Sequence, residues 1–551
     1  MSYFTIKQGN LFPFYDLSTK DKEFLNWYLN ILESSNVGKI IFNSLNKTVK
    51  QKGRPSYNPY LLFAAILLGF TKRSSSLRSI QEYMTYDLRF LYITEMNSPS
   101  YATIGDFLNN VVVKDFKNIF YSLTSTILNK CNVVIDDLYI DGTKIEANSN
   151  KYKFVRKPTK FHAKLDINIR SVLEKYFKLN FSKKFITSKE IGEYITKLKL
   201  RLPKESIIFS KVDLRGKKVS EIEKDYLKLE KYLIKTLEYE EKEELCTFRN
   251  SYYKTDADVT AMALKSDYYS GLGSSMHAAY NYQIAVSKGF IIDFYVSQNI
   301  SDTKTLIPFL EQINKGYGFY PKNLCCDAGY GSLENYCFLS KNNIGNYIKY
   351  NYFKKEVNGE YVSLLHRKAD GKVYCLNNKV GEKTKIVNKF GEIIESNNRY
   401  TFKSCKKCKL KEYCLKFCKD KNQKERTIIY NEELQQYRQQ AKINLLSPKG
   451  IEMRVNRSSQ VEGVFGIIKQ DMDYTRARRR GLENVSLEFG LICLGYNLRK
   501  LFTLFDNNLK INYWIAPSDL KKEETKNVNL KKLMKIRKKG LNEKIRRKKA
   551  K

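Results

Sequence analysis

Two short apolar segments, each ending in an aspartate, constrain the fold of this chain most strongly. Residues 133–140 are rich in β-branched side chains and lead into Asp141-Gly142, and residues 324–326 lead into Asp327 and two nearby glycines. A carboxylate at the end of a buried strand lies where α/β sheets place catalytic groups. Asp141-Gly142 is also typical of a simple turn, and taken alone this dipeptide favours the turn.

The elements around these two segments predict an α/β fold with a mixed sheet. Residues 279–285 and 290–296 have the pattern of a hairpin that turns at residues 287–289. A helix is predicted over residues 303–315 and another strand over 345–350. The resulting order is strand, hairpin, helix, strand with Asp327, helix, strand. Connections of this kind bring strand ends from distant parts of the chain together in one sheet.

Residues 1–130 form a separate region that we predict to be entirely helical. Residues 54–59 form an extended lead-in, with Asn58 as N-cap and Pro59 at the first position of a buried helix. Short helices in a basic protein allow a DNA-binding domain of the helix-turn-helix type. A helical oligomerisation or packing domain fits equally well, because no recognition helix stands out.

We expect the catalytic region, residues 131–515, to be interrupted twice. Residues 151–255 are charged and carry apolar side chains at helical spacing, which predicts a helical insertion. Residues 351–450 contain short strand-like pieces and a Lys-rich cysteine cluster, which predicts a Cys-rich insertion. Residues 516–551 form a basic C-terminal tail, in which residues 531–551 hold twelve Lys and Arg against one Glu. We expect this tail to be mobile.

The charge of the chain indicates a polyanionic partner. Lys and Arg number 98 against 58 Asp and Glu, which gives a formal net charge of +40. Nucleic acid is the polyanion that best fits such an excess. A membrane surface is the competing partner, but the longest apolar run, residues 61–70, is too short to span a bilayer. The N-terminus lacks the pattern of a signal peptide, so we expect a cytoplasmic, nucleoid-associated protein with reduced cysteines.

Four of the eleven cysteines are clustered with a spacing that suggests a metal site. They follow the pattern C-x2-C-x5-C-x3-C at Cys405, Cys408, Cys414 and Cys418. Four converging thiolates are typical of a closed structural zinc site. An iron–sulfur cluster is an alternative, although the spacing differs from that of ferredoxins. The remaining alternative is that these cysteines carry no metal.

A third acidic residue, Glu462, lies in a segment with a helical apolar stripe formed by Val461, Phe465 and Ile468. Lys469 follows Glu462 by two turns on the same side of the predicted helix. Ser459 and Glu462 also fit the S-x-x-E pattern of a capping box, in which the glutamate only satisfies backbone donors at a helix start. The segment by itself favours this capping interpretation.

Considered together, the three acids predict catalytic chemistry. Two carboxylates at strand ends and one on a nearby helix can hold two divalent cations for in-line attack at phosphorus. Hard oxygen ligands favour Mg²⁺ or Mn²⁺. With only three His in the chain, histidine-based acid–base chemistry is not expected.

The three acidic motifs resemble those of bacterial insertion-sequence DDE transposases in sequence and in order. Residues 54–59 and the helices after them resemble the N-terminal domain of these enzymes, so the resemblance covers about residues 40–505. It implies an RNase H-like core with Asp141, Asp327 and Glu462 as catalytic residues that hold two Mg²⁺ or Mn²⁺ ions. It also implies cleavage of the transposon ends in double-stranded DNA, transfer of their 3′-hydroxyls to target DNA, and a working form that is at least a homodimer.

The segment around the glutamate departs from the family pattern in one respect. Many relatives have a Tyr and an Arg at set positions before the glutamate and a Lys after it. Lys469 matches, but Ser458 stands at the Arg position, and Arg457 lies one residue away from it. The residues that we predict to contact DNA are Lys469, Arg457, Arg476, Arg478, Arg479 and Arg480.

Two other functions fit the same motifs. A metal-dependent nuclease of the same fold would cleave DNA without joining it, and a catalytically silent descendant of a transposase would only bind DNA. Other acidic residues fit the site less well. Asp256 and Asp258 lie where helix capping explains them, and Asp293 alternates on a strand in a way that allows it to face water.

Overall fold

The structure is a computed structural model. It describes residues 17–46, 56–73, 75–178, 185–202, 220–264, 276–359, 363–387, 393–415, 418, 420 and 423–507. Arg54 and Pro55 of the N-terminal motif and the whole basic tail, residues 516–551, lie outside the described residues.

The N-terminal region is helical in its described part, as predicted. Asn58 is the N-cap of the third helix, and its side chain accepts hydrogen bonds from the backbone N–H groups of Tyr60 at 3.1 Å and Leu61 at 3.4 Å. This third helix is buried on nearly all sides, which explains its uniformly apolar sequence. The helices are α1 (Thr19–Ser34), α2 (Val37–Asn46), α3 (Pro59–Gly69), α4 (Leu77–Tyr86), α5 (Leu88–Ile93), α6 (Tyr101–Phe107) and α7 (Val113–Lys130), with a π-helical segment (Leu108–Val112) between the last two.

A six-stranded mixed sheet forms the centre of the molecule and confirms the predicted α/β class. Its neighbouring strands follow the order β4-β5-β1-β7-β8, and β6 also pairs with β5. The pairs of β5 are antiparallel, whereas β1–β7 and β7–β8 are parallel. The strands are β1 (Asp137–Glu146), β4 (Thr260–Ala263), β5 (Met276–Ser287), β6 (Phe290–Ser297), β7 (Asn323–Cys325) and β8 (Gly345–Asn346).

The predicted hairpin is confirmed, but the predicted end of the first strand is wrong. Lys288 and Gly289 both have positive φ, at 47° and 77°, as a two-residue hairpin turn requires. Strand β1 does not end at Asp141. It stays paired with β5 as far as Glu146, and Asp141 lies opposite Ile284. The interpretation of Asp141-Gly142 as a turn is therefore also wrong, because β5 is long enough to extend the ladder past this dipeptide.

The described parts of residues 159–246 form a helical group with its own apolar core. Two short antiparallel strands, β2 (Phe154–Arg156) and β3 (Ser251–Tyr253), pair at its base. The chain therefore leaves and re-enters the sheet region at neighbouring points. The helices of this group are α8 (Thr159–Leu173), α9 (Ser188–Lys199) and α10 (Glu221–Cys246).

The region after β8 carries a small β structure before the chain returns to helices. Tyr400, Phe402, Leu365 and Val373 form its apolar core. Its elements are α13 (Phe353–Val357), β9 (Leu365–Arg367), β10 (Val373–Cys375), β11 (Glu382–Val387), β12 (Ile393–Phe402), α14 (Lys411–Cys414) and β13 (Arg426–Tyr430).

Helices flank the sheet and connect it to the N-terminal region. They are α11 (Leu306–Tyr317), α12 (Leu333–Lys341), α15 (Glu432–Leu446), α16 (Pro448–Arg457), α17 (Gly463–Gly466) and α18 (Leu482–Asn507). In the part of the chain that the structure describes, no helix has the length and apolar character needed to cross a membrane.

Asp293 of β6 does not face water, contrary to the expectation from strand alternation. Its side chain is 0% exposed. Lys117 and Tyr121 of α7 reach it at 3.0 and 2.9 Å, and Gln312 of α11 donates to it at 2.8 Å. Strand alternation gave the wrong prediction because α7 covers this face of the sheet. Asp293 also joins the N-terminal helical region to the sheet through its ion pair with Lys117.

Candidate active site

Asp141 and Asp327 belong to two neighbouring segments that run parallel. In the register of β1 and β7, Tyr139 lies opposite Cys325. Asp141 follows Tyr139 by two residues within β1, and Asp327 follows Cys325 by two residues, just past the end of β7. Each carboxylate is oriented by a backbone donor. The N–H of Gly142 donates to Asp141 Oδ1 at 2.9 Å, and that of Gly329 donates to Asp327 Oδ1 at 2.8 Å.

Glu462 lies well inside a helical run and not at a helix start. The run begins at Pro448 with Ser447 as its N-cap, whose hydroxyl accepts from the N–H of Gly450 at 3.1 Å. It continues through α16, a π-helical segment (Ser458–Glu462), α17 and a second π-helical segment (Ile467–Asp471). The capping-box interpretation of Ser459 and Glu462 is therefore wrong, because the backbone donors that Glu462 would cap already belong to the helix interior.

Arg457 connects Glu462 to Asp141. Its Nη1 lies 2.9 Å from Asp141 Oδ2, and its Nη2 lies 2.9 Å from Glu462 Oε1. The Arg457 side chain is 10% exposed and that of Asp141 19%, whereas Glu462 is 56% exposed. Ser458 donates from its hydroxyl to the second oxygen of Glu462 at 2.9 Å. In this arrangement the guanidinium of Arg457 faces two carboxylates.

The π-helical segment explains why Arg457 lies one residue away from its expected position. A π turn adds one residue to a helical turn, so side chains five residues apart come to the same side of the helix. Arg457 and Glu462 are five residues apart and enclose the π-helical segment (Ser458–Glu462). The extra residue in the π turn therefore compensates for the one-residue offset of Arg457 in the sequence.

Burial is the largest influence on the pKa of Asp141. Desolvation raises the pKa of Asp141, and the neighbouring charge of Asp327 raises it further. Arg457 and the Gly142 N–H oppose this increase because they favour the ionised carboxylate. The Asp141 carboxyl is therefore subject to opposing influences, from burial and Asp327 in one direction and from Arg457 and Gly142 in the other.

A polar network beside the two aspartates was missed in the sequence. Asp302 accepts hydrogen bonds from Asn281 at 2.7 Å and Gln283 at 3.0 Å, and the hydroxyl of Tyr330 donates to the Gln283 side chain. Gln283 of β5 lies opposite Gly142 of β1. A Cβ atom at position 142 would collide with the side-chain amide of Gln283. The glycine of Asp141-Gly142 is therefore needed for close approach. Asn281 and Gln283 alternate on β5, but no sequence signal linked them to Asp302.

The predicted DNA-binding cations differ in their surroundings. Lys469 donates to Thr143 Oγ1 at 2.6 Å, which places it two residues along β1 from Asp141. Residues 476–480, which we call the arginine loop, lie between this helical run and α18. The backbone N–H groups of Arg478 and Arg479 donate to the buried Glu488 at 3.1 and 3.2 Å.

The side chains of the arginine loop point to different partners. Arg478 donates to Ser75 at 2.9 Å and Arg479 to Asn109 at 2.6 Å, so both contact the N-terminal region. Burial lowers the pKa of Arg479. Arg476 lies 3.6 Å from Glu146. Arg480 is exposed and donates to the Asn148 carbonyl at 2.8 Å.

Asp256 and Asp258 have a structural role, as predicted, although the helix that they cap is distant in sequence. Asp256 accepts from the N–H of Gly481 at 3.1 Å, and Asp258 accepts from that of Leu482 at 2.8 Å. Both donors lie at the start of α18, so these aspartates hold the end of the arginine loop.

The residues suited to metals are carboxylates at the sheet and thiols in the small β structure. Among the described residues, no group of three or more His, Cys, Asp or Glu side chains is drawn together as the ligands of a metal ion. The chemistry of the donors nevertheless fits hard divalent cations at the sheet, because Asp141, Asp327 and Glu462 all supply carboxylate oxygens. Arg457 already places a positive charge between two of them.

Two family models match the chain. One is described as a transposase DDE domain and matches residues 374–502, which include Glu462 and the arginine loop. The other is described as a transposase domain (DUF772) and matches residues 15–110, which include α1 to α6. Comparison with curated proteins gives no match, and neither does comparison with solved structures. Both matched regions belong to transposase families, and together they support a DDE-type insertion-sequence transposase.

Proposed function

We propose that this transposase binds the ends of an insertion sequence, cleaves them and transfers their 3′-hydroxyl ends to target DNA. Asp141, Asp327 and Glu462 are the proposed catalytic residues. The observation that carries this proposal is the linkage of the three acids. Asp141 lies on β1, Asp327 lies just past the end of the parallel neighbour β7, and Arg457 joins Asp141 to Glu462. This linkage supports one site for residues that are 186 and 135 positions apart in the sequence (327−141 and 462−327).

We further propose an RNase H-like core within residues 131–515. The strand order and directions support it, because β5 alone runs opposite to the other five described strands of the sheet. In this organisation, residues 151–255 are an insertion between β1 and β5, and residues 351–450 are an insertion between β8 and the helix of Glu462. Residues 1–130 form the DNA-binding or oligomerisation domain, and residues 516–551 add a basic tail.

The three acids would hold two Mg²⁺ or Mn²⁺ ions. When bound, such ions lower the pKa of the attacking water and stabilise the leaving oxygen. The N–H groups of Gly142 and Gly329 fix the carboxylate orientations of Asp141 and Asp327. Arg457 offsets the repulsion between Asp141 and Glu462 when no other cation does so.

The proposed DNA contacts follow from the position of the cations. Lys469, beside Thr143, can meet a phosphate next to the three acids. Arg480 of the arginine loop is exposed and is the second proposed phosphate contact. Because two transposon ends must be held together, we propose that the working form is at least a homodimer on DNA.

A strand-transfer assay tests the proposal. The full chain is incubated with Mg²⁺, a linear duplex carrying the DNA that flanks this reading frame, and a plasmid target. We expect 3′-end cleavage followed by a product joined to the plasmid, and neither product with Asp327→Asn. Cleavage without joining would indicate the nuclease alternative, and binding without cleavage would indicate a catalytically silent protein.

A further inference from the structure

We propose that Cys375, Cys405, Cys408 and Cys414 form a structural zinc site, with Cys375 in the place that the sequence spacing assigned to Cys418. The proposal concerns the small β structure of residues 365–430. It does not depend on the catalytic function proposed above.

The four thiols line one small cavity, and bound zinc would draw them closer together than they lie in this structure. Its volume is about 30 Å³, and its apolar walls include Phe402 and Leu415. A cavity of this size holds a water molecule or a single ion. Cys375 reaches it from a strand end that precedes Cys405 by thirty positions (405−375). The sequence pattern could not include a residue so far from the cluster.

Backbone turns hold the thiols in position from three separate segments. Cys375 closes a tight turn in which its N–H donates to the Lys379 carbonyl at 2.9 Å and its carbonyl accepts from Asn378 at 2.9 Å. A second turn joins Cys405 and Cys408, with an N–H to carbonyl distance of 3.2 Å. Cys414 ends the short helix α14. Paired cysteines on a tight turn are a common source of two zinc ligands.

Cationic residues surround the cavity. Four thiolates and one Zn²⁺ carry a net charge of −2. The cationic residues that line the cavity and can offset this charge are Lys379, Lys403, Lys411 and Arg426.

Cys418 has a different neighbour. Its sulfur contacts the guanidinium of Arg426, and Cys418 is not among the described residues that line the cavity. We therefore assign Cys418 as a partner of Arg426. The cavity also favours a single ion over an iron–sulfur cluster, because zinc needs only a tetrahedron of sulfurs at about 2.3 Å, whereas a cluster of several iron and sulfide ions needs more space.

Metal analysis of matched variants of the full chain tests this assignment. The wild-type protein is purified with added ZnCl₂, freed of loosely bound metal and analysed for zinc by elemental analysis. We expect one zinc per chain in the wild type and in Cys418→Ser, and at least a tenfold loss in Cys375→Ser. Less than stoichiometric zinc in the wild type, or loss of zinc in Cys418→Ser, would overturn the assignment.

A spectroscopic variant covers the case in which Cys375→Ser does not fold. Cys375→His keeps a metal ligand at this position, and Co²⁺ takes the place of Zn²⁺ as the probe. We expect the thiolate-to-cobalt absorption of Cys375→His to fall by about a quarter relative to wild type, because one of four thiolates has been replaced. An unchanged absorption would mean that Cys375 is not a ligand.

Discussion

Arg457 is the residue on which the geometry of the site depends most. It is nearly buried, and it contacts two acids that we assign to metal binding. Removing one partner of a buried ion pair costs about 3–5 kcal/mol, because the remaining charge is left without compensation. Glu462 is more than half exposed, so part of that cost is relieved by solvent.

We predict that Arg457→Ala lowers the free energy of unfolding by about 1–3 kcal/mol without divalent cations. Added Mg²⁺ should then stabilise the variant more than the wild type, since the cation replaces the lost positive charge and stabilisation follows ligand occupancy. Thermal unfolding with and without MgCl₂ measures this difference.

Lys449→Ala is the matched control for this measurement. Lys449 pairs with Asp137 on the same strand as Asp141, at 2.6 Å, so its loss also removes a cation from β1. We expect this control to show the Mg²⁺ response of the wild type. Equal responses of Arg457→Ala and the wild type would contradict the role that we assign to Arg457.

At the scale of elements, the helix of Glu462 shows what could and could not be predicted from sequence. The apolar stripe of Val461, Phe465 and Ile468 correctly indicated a buried helical face. The start of this helix was predicted wrongly. The S-x-x-E pattern at Ser459 places the N-cap at that residue, whereas the N-cap in the structure is Ser447, twelve residues earlier (459−447). The π-helical segment was also beyond prediction, and the Arg457–Asp141 contact beside it joins residues 316 positions apart in the sequence.

In the arginine loop, one arginine contacts the N-terminal region and another is proposed to contact DNA. Arg479 is held against Asn109 of the N-terminal region, whereas Arg480 is exposed. We predict that Arg480→Ala flattens the log–log salt dependence of duplex binding by about 0.9, because one phosphate contact is lost. Binding measured at several salt concentrations gives this slope.

Arg479→Ala serves as the comparison within the same loop. It should lower thermal stability, because it removes the hydrogen bond to Asn109, and it should change the slope less than Arg480→Ala does. An unchanged slope in Arg480→Ala would remove Arg480 from the proposed DNA-binding surface.

At the scale of the whole molecule, the order of elements was predictable and the contacts between distant segments were not. The hairpin, the helices and the strand before Asp327 follow from local patterns. The burial of Asp293 depends on α7, and the cavity of Cys375 depends on residues about thirty to fifty positions later in the chain. These contacts join residues that are far apart in the sequence, so no short stretch of sequence contains both partners.

The linkage of the three acids also answers how such distant residues can form one site. The pairing of β2 with β3 returns the chain to the sheet after the helices of residues 159–246, so β5 can pair with β1 from Tyr139 to Glu146. The chain likewise returns through α15 and α16 after the small β structure. The two excursions lengthen the sequence between the acids without separating them in space.

The most direct test of the account is the cleavage activity of Glu462→Gln. Glutamine keeps the size of the side chain and an oxygen that can accept from Arg457 or Ser458, but it lacks the carboxylate charge. With the flanking DNA as substrate, we predict that Mg²⁺-dependent cleavage is abolished while DNA binding and the thermal midpoint stay near those of the wild type. Full cleavage by Glu462→Gln would contradict the central claim that this glutamate belongs to the catalytic site.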